Sequence, residues 1–290
     1  MLYVRLQAVR GHWVVAEGGG GGDVNANRTS AGGWETFRLT DIDGGAGIRH
    51  GDRIALRAEN GRWVYCQGGG GGRVFAKGQG IGGWEPLTIE NIDSPGSALG
   101  HGVRVALRAV NGQYLYAQGG GGGTVRAQGA AIGDWEPFNF NLFRRCELRA
   151  PNGRFFCAEG GGGREIVANR EIPDEWETFG FMCLSGWPLA SGHRMTLRAH
   201  NGRFVYADGG GGGQLLARGS AIGDWEPLTV TVLDNPMTDV YFVALRTVGG
   251  QYVYAENGGG GRVLAKGAEI GDWERFRLTF PREFGVGWSW

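Results

Sequence analysis

The stretch "VALRAVNGQYLYAQGGGGGTVRAQGAAIGDWEPF", residues 105–138, contains the features that decide the fold of this chain. Apolar and polar residues alternate on both sides of Asn111-Gly112, which predicts a β-hairpin whose two turn residues tolerate positive φ. Five glycines, Gly119 to Gly123, then lead to a short alternating segment, and the pair Trp135-Glu136 leads to another. The stretch therefore predicts four short β-strands and no helix.

The same unit occurs six times, and a fixed internal period indicates a repeat architecture. Repeats 1 to 6 begin near Val4, Ile54, Val105, Cys146, Met195 and Val243. Six four-stranded units are compatible either with a six-bladed propeller or with two barrels of three units each. The junction loops favour the second alternative. Extra residues occur at junctions 43–52, 93–102, 184–193 and 234–239, but almost none occur around Arg144-Arg145. We therefore predict two domains, 1–144 and 145–290.

The pattern "LRAxNGxYxxAExGGGGxxxAxxxxIGxWExF", as in residues 148–179 and 197–228, resembles the fascin-like β-trefoil repeat. The resemblance covers essentially the whole chain. It implies an all-β protein of two tandem β-trefoils, each with three four-stranded repeats that form a six-stranded barrel closed by three hairpins.

The segments "AEGGGG", "VANR" and "WETF" between Ala158 and Phe179 resemble those of bacterial fascin-like modules attached to polysaccharide-degrading enzymes. Those modules include carbohydrate-binding modules for β-glucans. The resemblance implies an oligo- or polysaccharide partner and a multivalent lectin or carbohydrate-binding module with up to six shallow sites. The alternative is a fascin-like module that cross-links actin or other proteins, because one fold supports unrelated functions.

The Trp-Glu pairs are the first candidates for such sites. Strand neighbours face opposite sides, so the Trp and the Glu cannot both be core residues. The Trp either packs in the core or under its loop, or it forms a platform for a pyranose ring while the carboxylate binds hydroxyl groups. The pairs are Trp34-Glu35, Trp84-Glu85, Trp135-Glu136, Trp176-Glu177, Trp225-Glu226 and Trp273-Glu274.

The second strand of each repeat supplies two further sets of candidates. One of its faces, which carries Val14 and Ala16 in repeat 1, is apolar in every repeat and is predicted to be core. The opposite face carries tyrosines that either pack under a neighbouring hairpin or line a groove: Tyr65, Tyr116, Tyr206 and Tyr254. The strand then ends in a hydrogen-bond acceptor that is either a ligand contact or a solvated strand end: Glu17, Gln67, Gln118, Glu159, Asp208 and Glu256.

The residue before each Trp is acidic in repeats 3 to 6, where Asp134, Glu175, Asp224 and Asp272 stand. Gly33 and Gly83 replace it in the first two repeats. If these acids contact a ligand, the sites of repeats 1 and 2 are the weaker ones.

The glycine run is a linker, a phosphate cradle or a folded turn. A linker would join the repeats instead of occurring inside each one, and a P-loop needs Gly-Lys-Ser/Thr leading into a helix. A folded turn between the second and third strands remains. Its missing side chains either make room for a sugar beside the Trp-Glu pair or let the hairpin cap close.

Composition excludes several other functions. Lys plus Arg and Asp plus Glu number 29 each, so no basic field is available for nucleic acid. No leader and no apolar run of membrane-spanning length is present, so membrane insertion is not expected. Six equivalent acids suit repeated binding better than the two unlike carboxylates of a glycosidase, so no enzyme is predicted. The four cysteines are predicted to be mostly buried thiols, and no metal or cofactor site is predicted. Location, secreted or cytoplasmic, and oligomeric state stay open.

Overall fold

The computed structural model describes residues 1–45 and 47–281, and within them the chain is all-β. Alternation of apolar and polar residues places one face of each short strand in a core. The strands of the first half are β1 (Leu2–Ala8), β2 (Trp13–Ala16), β3 (Val24–Arg28), β4 (Phe37–Asp41), β5 (Arg53–Arg57), β6 (Trp63–Cys66), β7 (Val74–Gly78), β8 (Leu87–Asn91), β9 (Val103–Ala109), β10 (Tyr114–Ala117), β11 (Gly123–Gly129) and β12 (Phe138–Arg149).

The second half continues the same order of elements. Its strands are β13 (Phe155–Ala158), β14 (Ile166–Arg170), β15 (Phe179–Cys183), β16 (Arg194–Arg198), β17 (Phe204–Ala207), β18 (Leu215–Gly219), β19 (Leu228–Met237), β20 (Val240–Arg246), β21 (Tyr252–Ala255), β22 (Val263–Gly267) and β23 (Phe276–Thr279). The predicted extra loop at 234–239 is mostly strand, because β19 extends to Met237.

The prediction of no helix needs one correction. A single 3-10 turn begins each glycine run, because glycine adopts the positive φ that the turn requires; Gly18, for example, has φ 68°. The turns are Glu17–Gly19, Gln67–Gly69, Gln118–Gly120, Glu159–Gly161, Asp208–Gly210 and Glu256–Gly258.

The chain forms two compact units. The N-terminal unit consists largely of Leu2–Leu142, with Gly186–Pro188. The C-terminal unit consists largely of Phe143–Ser185 and of the chain from Leu189 to the end of the described residues. Arg144, where the sequence predicts a boundary, lies inside the continuous strand β12.

The strands of the N-terminal unit pair in a closed ring. Each strand in the order β1, β4, β5, β8, β9, β12 pairs with the next, and β12 pairs with β1. Three hairpins, β2–β3, β6–β7 and β10–β11, lie outside this ring. The hairpins also contact one another, because β3 pairs with β11 and single bridges join Asp23 to Phe75 and Arg73 to Arg126.

The C-terminal unit shows the same pairing. Its ring runs β12, β15, β16, β19, β20, β23 and back to β12. Its hairpins are β13–β14, β17–β18 and β21–β22. Bridges from Glu165 to Leu216, Gln214 to Leu264 and Val167 to Arg262 connect them.

Each repeat contributes the same four positions to its core. The predicted apolar face of the second strand is confirmed, since Val14 and Ala16 and their equivalents are all buried. The core of the N-terminal unit contains Leu6, Leu56, Leu107, Val14, Val64, Leu115, Val24, Val74, Val125, Phe37, Leu87 and Phe138. The equivalent residues of the C-terminal unit are Leu148, Leu197, Leu245, Phe156, Val205, Val253, Ile166, Leu215, Val263, Phe179, Leu228 and Phe276.

In the Asn60-Gly61 hairpin turn, only the glycine has positive φ. Gly61 has φ 87°, and Asn60 does not use the positive φ that it tolerates. The backbone N–H of Gly61 donates to the Ala58 carbonyl at 2.9 Å, and the Asn60 side-chain oxygen accepts from the Arg62 N–H at 3.0 Å. The asparagine therefore stabilises a three-residue loop through its side chain, and only the glycine is left-handed.

All four cysteines are buried free thiols, which confirms the prediction for them. Burial raises the pKa of Cys66 to about 12. No helix in residues 1–45 and 47–281 has the length and apolar character needed to cross a membrane.

Candidate functional site

The tryptophans of the six Trp-Glu pairs are surface residues. Their exposure ranges from 42% at Trp176 to 50% at Trp84. In repeats 1, 2, 3, 4 and 6 the main-chain carbonyl of the Trp accepts a backbone N–H; that of Trp34, for example, accepts the Ala16 N–H at 3.0 Å. All six pairs present a large apolar side chain half in solvent, which excludes core packing for these tryptophans.

The glutamates of the pairs have a structural role that sequence analysis missed. In every repeat one carboxylate oxygen, Oε2, accepts the backbone N–H of the residue three positions earlier, at 2.7–3.0 Å. The donors are Gly32, Gly82, Gly133, Asp174, Gly223 and Gly271. This bond closes the loop that presents the Trp. The only sequence signal for it was the fixed three-residue spacing.

The glycine runs join each repeat to the next. The carbonyl of the last residue of each 3-10 turn accepts a backbone N–H from the hairpin loop of the next repeat. In repeat 1, for example, the Asn60 N–H donates to the Gly19 carbonyl at 3.0 Å. The equivalent bonds are Asn111 to Gly69, Arg10 to Gly120, Asn201 to Gly161, Gly249 to Gly210 and Asn152 to Gly258. These bonds connect repeat 1 to repeat 2, repeat 2 to repeat 3 and repeat 3 back to repeat 1. Repeats 4, 5 and 6 are connected in the same way.

The glycine that directly follows each 3-10 turn must lack a side chain. A Cβ on Gly20, whose φ is 126°, would overlap the Asn60 side chain of the following repeat. The same overlap occurs between Gly70 and Asn111 and between Gly162 and Asn201. Of the two alternatives for the glycine run, these contacts support closure of the hairpin cap.

The third strand divides the six loops into two classes. It ends in glycine in repeats 2, 3, 5 and 6, and these repeats also have the second-strand tyrosine; we call their loops the tyrosine sites. Their glycines are Gly78, Gly129, Gly219 and Gly267. Repeats 1 and 4 have Arg28 and Arg170 instead, with Val15 and Cys157 in place of the tyrosine. We call these the arginine sites.

In the tyrosine sites, the Tyr and Trp rings form an angled pair. Their centroids lie 6.3–6.4 Å apart and their planes are inclined by 31–38° in Tyr65–Trp84, Tyr116–Trp135, Tyr206–Trp225 and Tyr254–Trp273. The tyrosines are half-buried, and their hydroxyl groups have no hydrogen-bond partner among the described residues. The pair thus presents apolar ring surface together with an available hydroxyl group.

The second carboxylate oxygen, Oε1, is also available in the tyrosine sites. A Cβ on Gly129 would lie 2.8 Å from Oε1 of Glu136, so this oxygen packs against the glycine in room that a side chain would otherwise need. The same relation holds for Glu85, Glu226 and Glu274. No residue within the described ranges donates a hydrogen bond to these four Oε1 atoms. Each tyrosine site therefore has an unused acceptor.

In the arginine sites, a guanidinium group lies beside the carboxylate of the Trp-Glu pair. Arg28 Nη2 lies 2.7 Å from Glu17 Oε2, and Arg28 Nε lies 3.9 Å from Glu35 Oε1. Arg170 repeats both contacts with Glu159 and Glu177, at 2.9 and 3.7 Å.

The carboxylates beneath these guanidinium groups are buried, with exposures of 6% for Glu35 and 4% for Glu177. Burial, with a smaller contribution from the hydrogen bond to Glu177, raises the pKa of Cys157. The arginine sites are therefore filled by internal ion pairs.

The hairpin loop beside each site follows the same division. Exposed apolar residues lie there in the tyrosine sites: Val110, Val9, Val248 and Pro151 for repeats 2, 3, 5 and 6. A Cβ on Gly69, for example, would lie 2.9 Å from Val110. Glu59 and His200 occupy this place in repeats 1 and 4. The tyrosine sites thus continue the apolar surface that the arginine sites interrupt.

The strand-end acceptors are used mainly within their own turns. Glu17 and Glu159 pair with the arginines described above, and Gln118 accepts from the Thr124 hydroxyl at 3.1 Å. Glu256 accepts from Arg262 Nη2 at 2.9 Å, a bond that lowers the pKa of Glu256. Gln67 and Asp208 are exposed.

The acids before the Trp differ among themselves. Asp134, Asp224 and Asp272 are exposed, whereas Glu175 Oε2 lies 3.6 Å from His200 Nε2. Across the described part of the chain, no three His, Cys, Asp or Glu side chains are grouped to hold a metal ion.

Comparison with known proteins adds little to this geometry. The model of a domain of unknown function, DUF7910, matches residues 3–143. No curated protein matches the chain.

Among solved structures, the designed threefold-symmetric protein ThreeFoil is similar at 17% identity and a TM-score of 0.38, over 47% of this chain and 97% of its own. A mosquitocidal holotoxin is similar at 7% identity and a TM-score of 0.38, over 96% of this chain. The match spans only 34% of the toxin. Neither likeness identifies a function for this chain.

Proposed function

We propose that this chain is a multivalent carbohydrate-binding protein, a lectin or carbohydrate-binding module for β-glucan or a related polysaccharide. One observation carries the proposal: within residues 1–45 and 47–281, a half-exposed Trp, an angled Tyr and a carboxylate oxygen without a donor occur together four times. The Trp-Glu pairs and the tyrosines that the sequence singled out are the residues on which the proposal depends.

The proposal includes two tandem β-trefoils as the scaffold. Its support is the pairing of six strands in a ring in each unit, with three hairpins outside it. The bonds from the glycine runs to the next hairpin also close after three repeats. A six-bladed propeller would instead keep most strand pairing inside each repeat and would link repeat 3 to repeat 4.

Sugar chemistry matches this surface. The C–H groups of a pyranose ring pack on an aromatic face, and its hydroxyl groups donate hydrogen bonds to a carboxylate oxygen. A site that is built to accept hydroxyl groups discriminates against ligands that lack them. Each site is shallow, and several sites on one polymer would raise the apparent affinity through effective concentration.

We propose a binding role without catalysis. The six glutamates have the same hydrogen bond to their own loop, and six equivalent acids suit repeated binding better than the two unlike carboxylates of a glycosidase. Actin or protein cross-linking is the competing function, and the neutral charge balance does not favour a polyanionic filament.

The test is retention of the chain on insoluble β-glucan, together with a glycan array, using a variant with Trp84, Trp135, Trp225 and Trp273 all replaced by alanine as the negative control. We expect the native chain to be retained and the variant to be lost from the pellet. Actin co-sedimentation runs in parallel. Folded native chain that binds no glycan, or that sediments with actin alone, would refute the proposal.

A further inference from the structure

The two classes of loop lead to a sharper statement about the ligand sites, which rests on the proposed function. The backbone is the same in all six loops: the Trp is exposed, the Glu binds the N–H three residues earlier, and the glycine run contacts the next hairpin. What differs is the group opposite Oε1 of the Glu. In repeat 3 this oxygen lies against Gly129, which has no side chain, and in repeat 1 it lies 3.9 Å from Nε of Arg28.

This difference removes the acceptor from the arginine sites. The guanidinium groups lie between two carboxylates each, and the neighbouring Asn27 and Asn169 oxygens accept from their Nη1 atoms at 2.7 and 2.6 Å. A sugar hydroxyl would have to displace Arg28 from Glu17 and Glu35. Because an unpaired buried charge is costly, the ion pairs persist and the hydroxyl is excluded.

The apolar part of the surface changes in parallel. Replacement of the tyrosine by Val15 and Cys157 removes the second ring, and Cys157 is fully buried. Glu59 and His200 place polar groups where Val110 and Val9 extend the apolar surface elsewhere. Three independent positions therefore separate the same two repeats from the other four.

We infer that the chain has four ligand sites, in repeats 2, 3, 5 and 6, and that repeats 1 and 4 are closed by Arg28 and Arg170. The geometry also limits the ligand class. An anionic group bound at a tyrosine site would lie next to Oε1 of the Glu, which has no cation beside it among the described residues. Two negative charges in contact repel each other. The ligand is therefore a neutral saccharide chain, and uronic acid or sulfated chains are rejected.

The experiment follows the indole N–H signals of the chain labelled with 15N-tryptophan. The neutral probes are linear hexasaccharides of β-1,3- and β-1,4-linked glucose, and the anionic probe is hexagalacturonate. Single Trp→Ala variants assign the six loop signals. We expect a neutral probe to shift the signals of Trp84, Trp135, Trp225 and Trp273 and to leave those of Trp34 and Trp176 in place. The anionic probe should shift none.

A second variant, Gly129→Arg, places at repeat 3 the residue that closes repeats 1 and 4. Gly129 does not have positive φ, so its backbone conformation allows a side chain. A Cβ there would lie 2.8 Å from Glu136 Oε1, so the Glu136 carboxylate must move to admit the arginine. We expect the Trp135 signal to stop responding while the other three tyrosine sites respond as before, which also shows that the chain is folded.

The outcomes separate this inference from the proposed function. Shifts at all six tryptophans, at Trp34 or Trp176, or with the anionic probe would overturn the inference and leave carbohydrate binding in place. A response of Trp135 that survives Gly129→Arg would overturn the role of the arginines. If no saccharide shifts any indole signal, the proposed function fails, and the four sites fail with it.

Discussion

The loops of repeats 3 and 4 differ in what they do with the same carboxylate. In repeat 3, Glu136 uses one oxygen to hold its loop, and none of the described residues donates to the other. In repeat 4, Glu177 is 4% exposed and its second oxygen faces Arg170 at 3.7 Å. A repeat can thus retain its scaffold while a single exchange of glycine for arginine changes an available acceptor into an internal ion pair.

The comparison also separates scaffold from surface. The glycine run, the loop hydrogen bond of the Glu and the core positions are the same in both classes, and they are the parts that join repeats. The second-strand tyrosine, the glycine at the end of the third strand and the apolar hairpin residue change together between the two classes. All three belong to the sites that contain the exposed Trp. Substitutions in the shared parts should act alike in both classes, whereas substitutions in the variable parts should not.

The largest effect is expected for the glycine that contacts the next hairpin. Gly20→Ala in an arginine site and Gly70→Ala in a tyrosine site should each destabilise the chain by about 3 kcal/mol, because the new Cβ overlaps an asparagine and the backbone has positive φ. Urea unfolding measures the free energy of unfolding.

Gly18→Ala and Gly68→Ala are the matched controls for that prediction. Both have positive φ, but a Cβ would meet nothing within 4 Å, so the cost should be about 1 kcal/mol. Equal losses for the overlapping and the free positions would show that backbone strain alone matters.

The next effect is specific to the arginine sites. Arg170→Ala should destabilise the chain by about 2 kcal/mol, because it leaves the buried Glu177 without its cation. Arg262→Ala is the control: it removes an exposed partner of Glu256, and exposed pairs contribute little. Chemical denaturation of both variants decides this, and a larger loss for Arg262→Ala would contradict the difference between the two classes of loop.

A smaller stability effect and a larger binding effect are expected in the tyrosine sites. Glu136→Gln retains an oxygen for the Gly133 N–H, so the free energy of unfolding should change by less than about 0.5 kcal/mol. Its amide nitrogen cannot accept a hydroxyl, and the affinity of that one site should fall about tenfold. Glu136→Ala should lose both the hydrogen bond to the Gly133 N–H and the affinity of that site. Saccharide titration and unfolding of the two variants distinguish the two oxygens, and full affinity in Glu136→Gln would show that Oε1 is not used.

The smallest effect concerns pH. The bond from Arg262 lowers the pKa of Glu256 below its ordinary value of 4.5. A lowered folded-state pKa stabilises the chain above pH 4.5, and this contribution disappears as the pH falls through the folded-state value. The difference in thermal midpoint between the native chain and Glu256→Gln should therefore be present at pH 7 and shrink at lower pH. A difference that grows on acidification would contradict this sign.

Much of the fold was predictable because it depends on short-range patterns. Alternation around Val14 and Ala16 predicted the buried face of the second strand, and the glycine runs predicted folded turns. The turn conformation of Asn60 was not predictable, because the residue type tolerates positive φ without requiring it, and the side-chain bond to Arg62 stabilises another geometry.

The site was predictable only in part. Trp135 and Glu136 were recognised from their repetition, but the loop bond of the Glu was not, because a carboxylate next to a Trp has no unique partner in sequence. The sequence shows that Arg28 in repeat 1 stands at the position that Gly129 has in repeat 3. Its meaning depends on Glu35, which lies on another segment, and only the folded chain brings the two together.

The sequence by itself determined the six repeats and the β-strands and singled out the Trp-Glu pairs, because each depends on spacing within a few residues. Only the tertiary structure decided that the contacts between repeats return after three of them and that four carboxylate oxygens have no donor among the described residues. The first depends on hydrogen bonds between residues far apart in the chain, such as Gly19 and Asn60, and no local pattern specifies which distant donor an acceptor meets. The second depends on which side chains the fold brings within reach of each Glu, as Arg28 shows at Glu35.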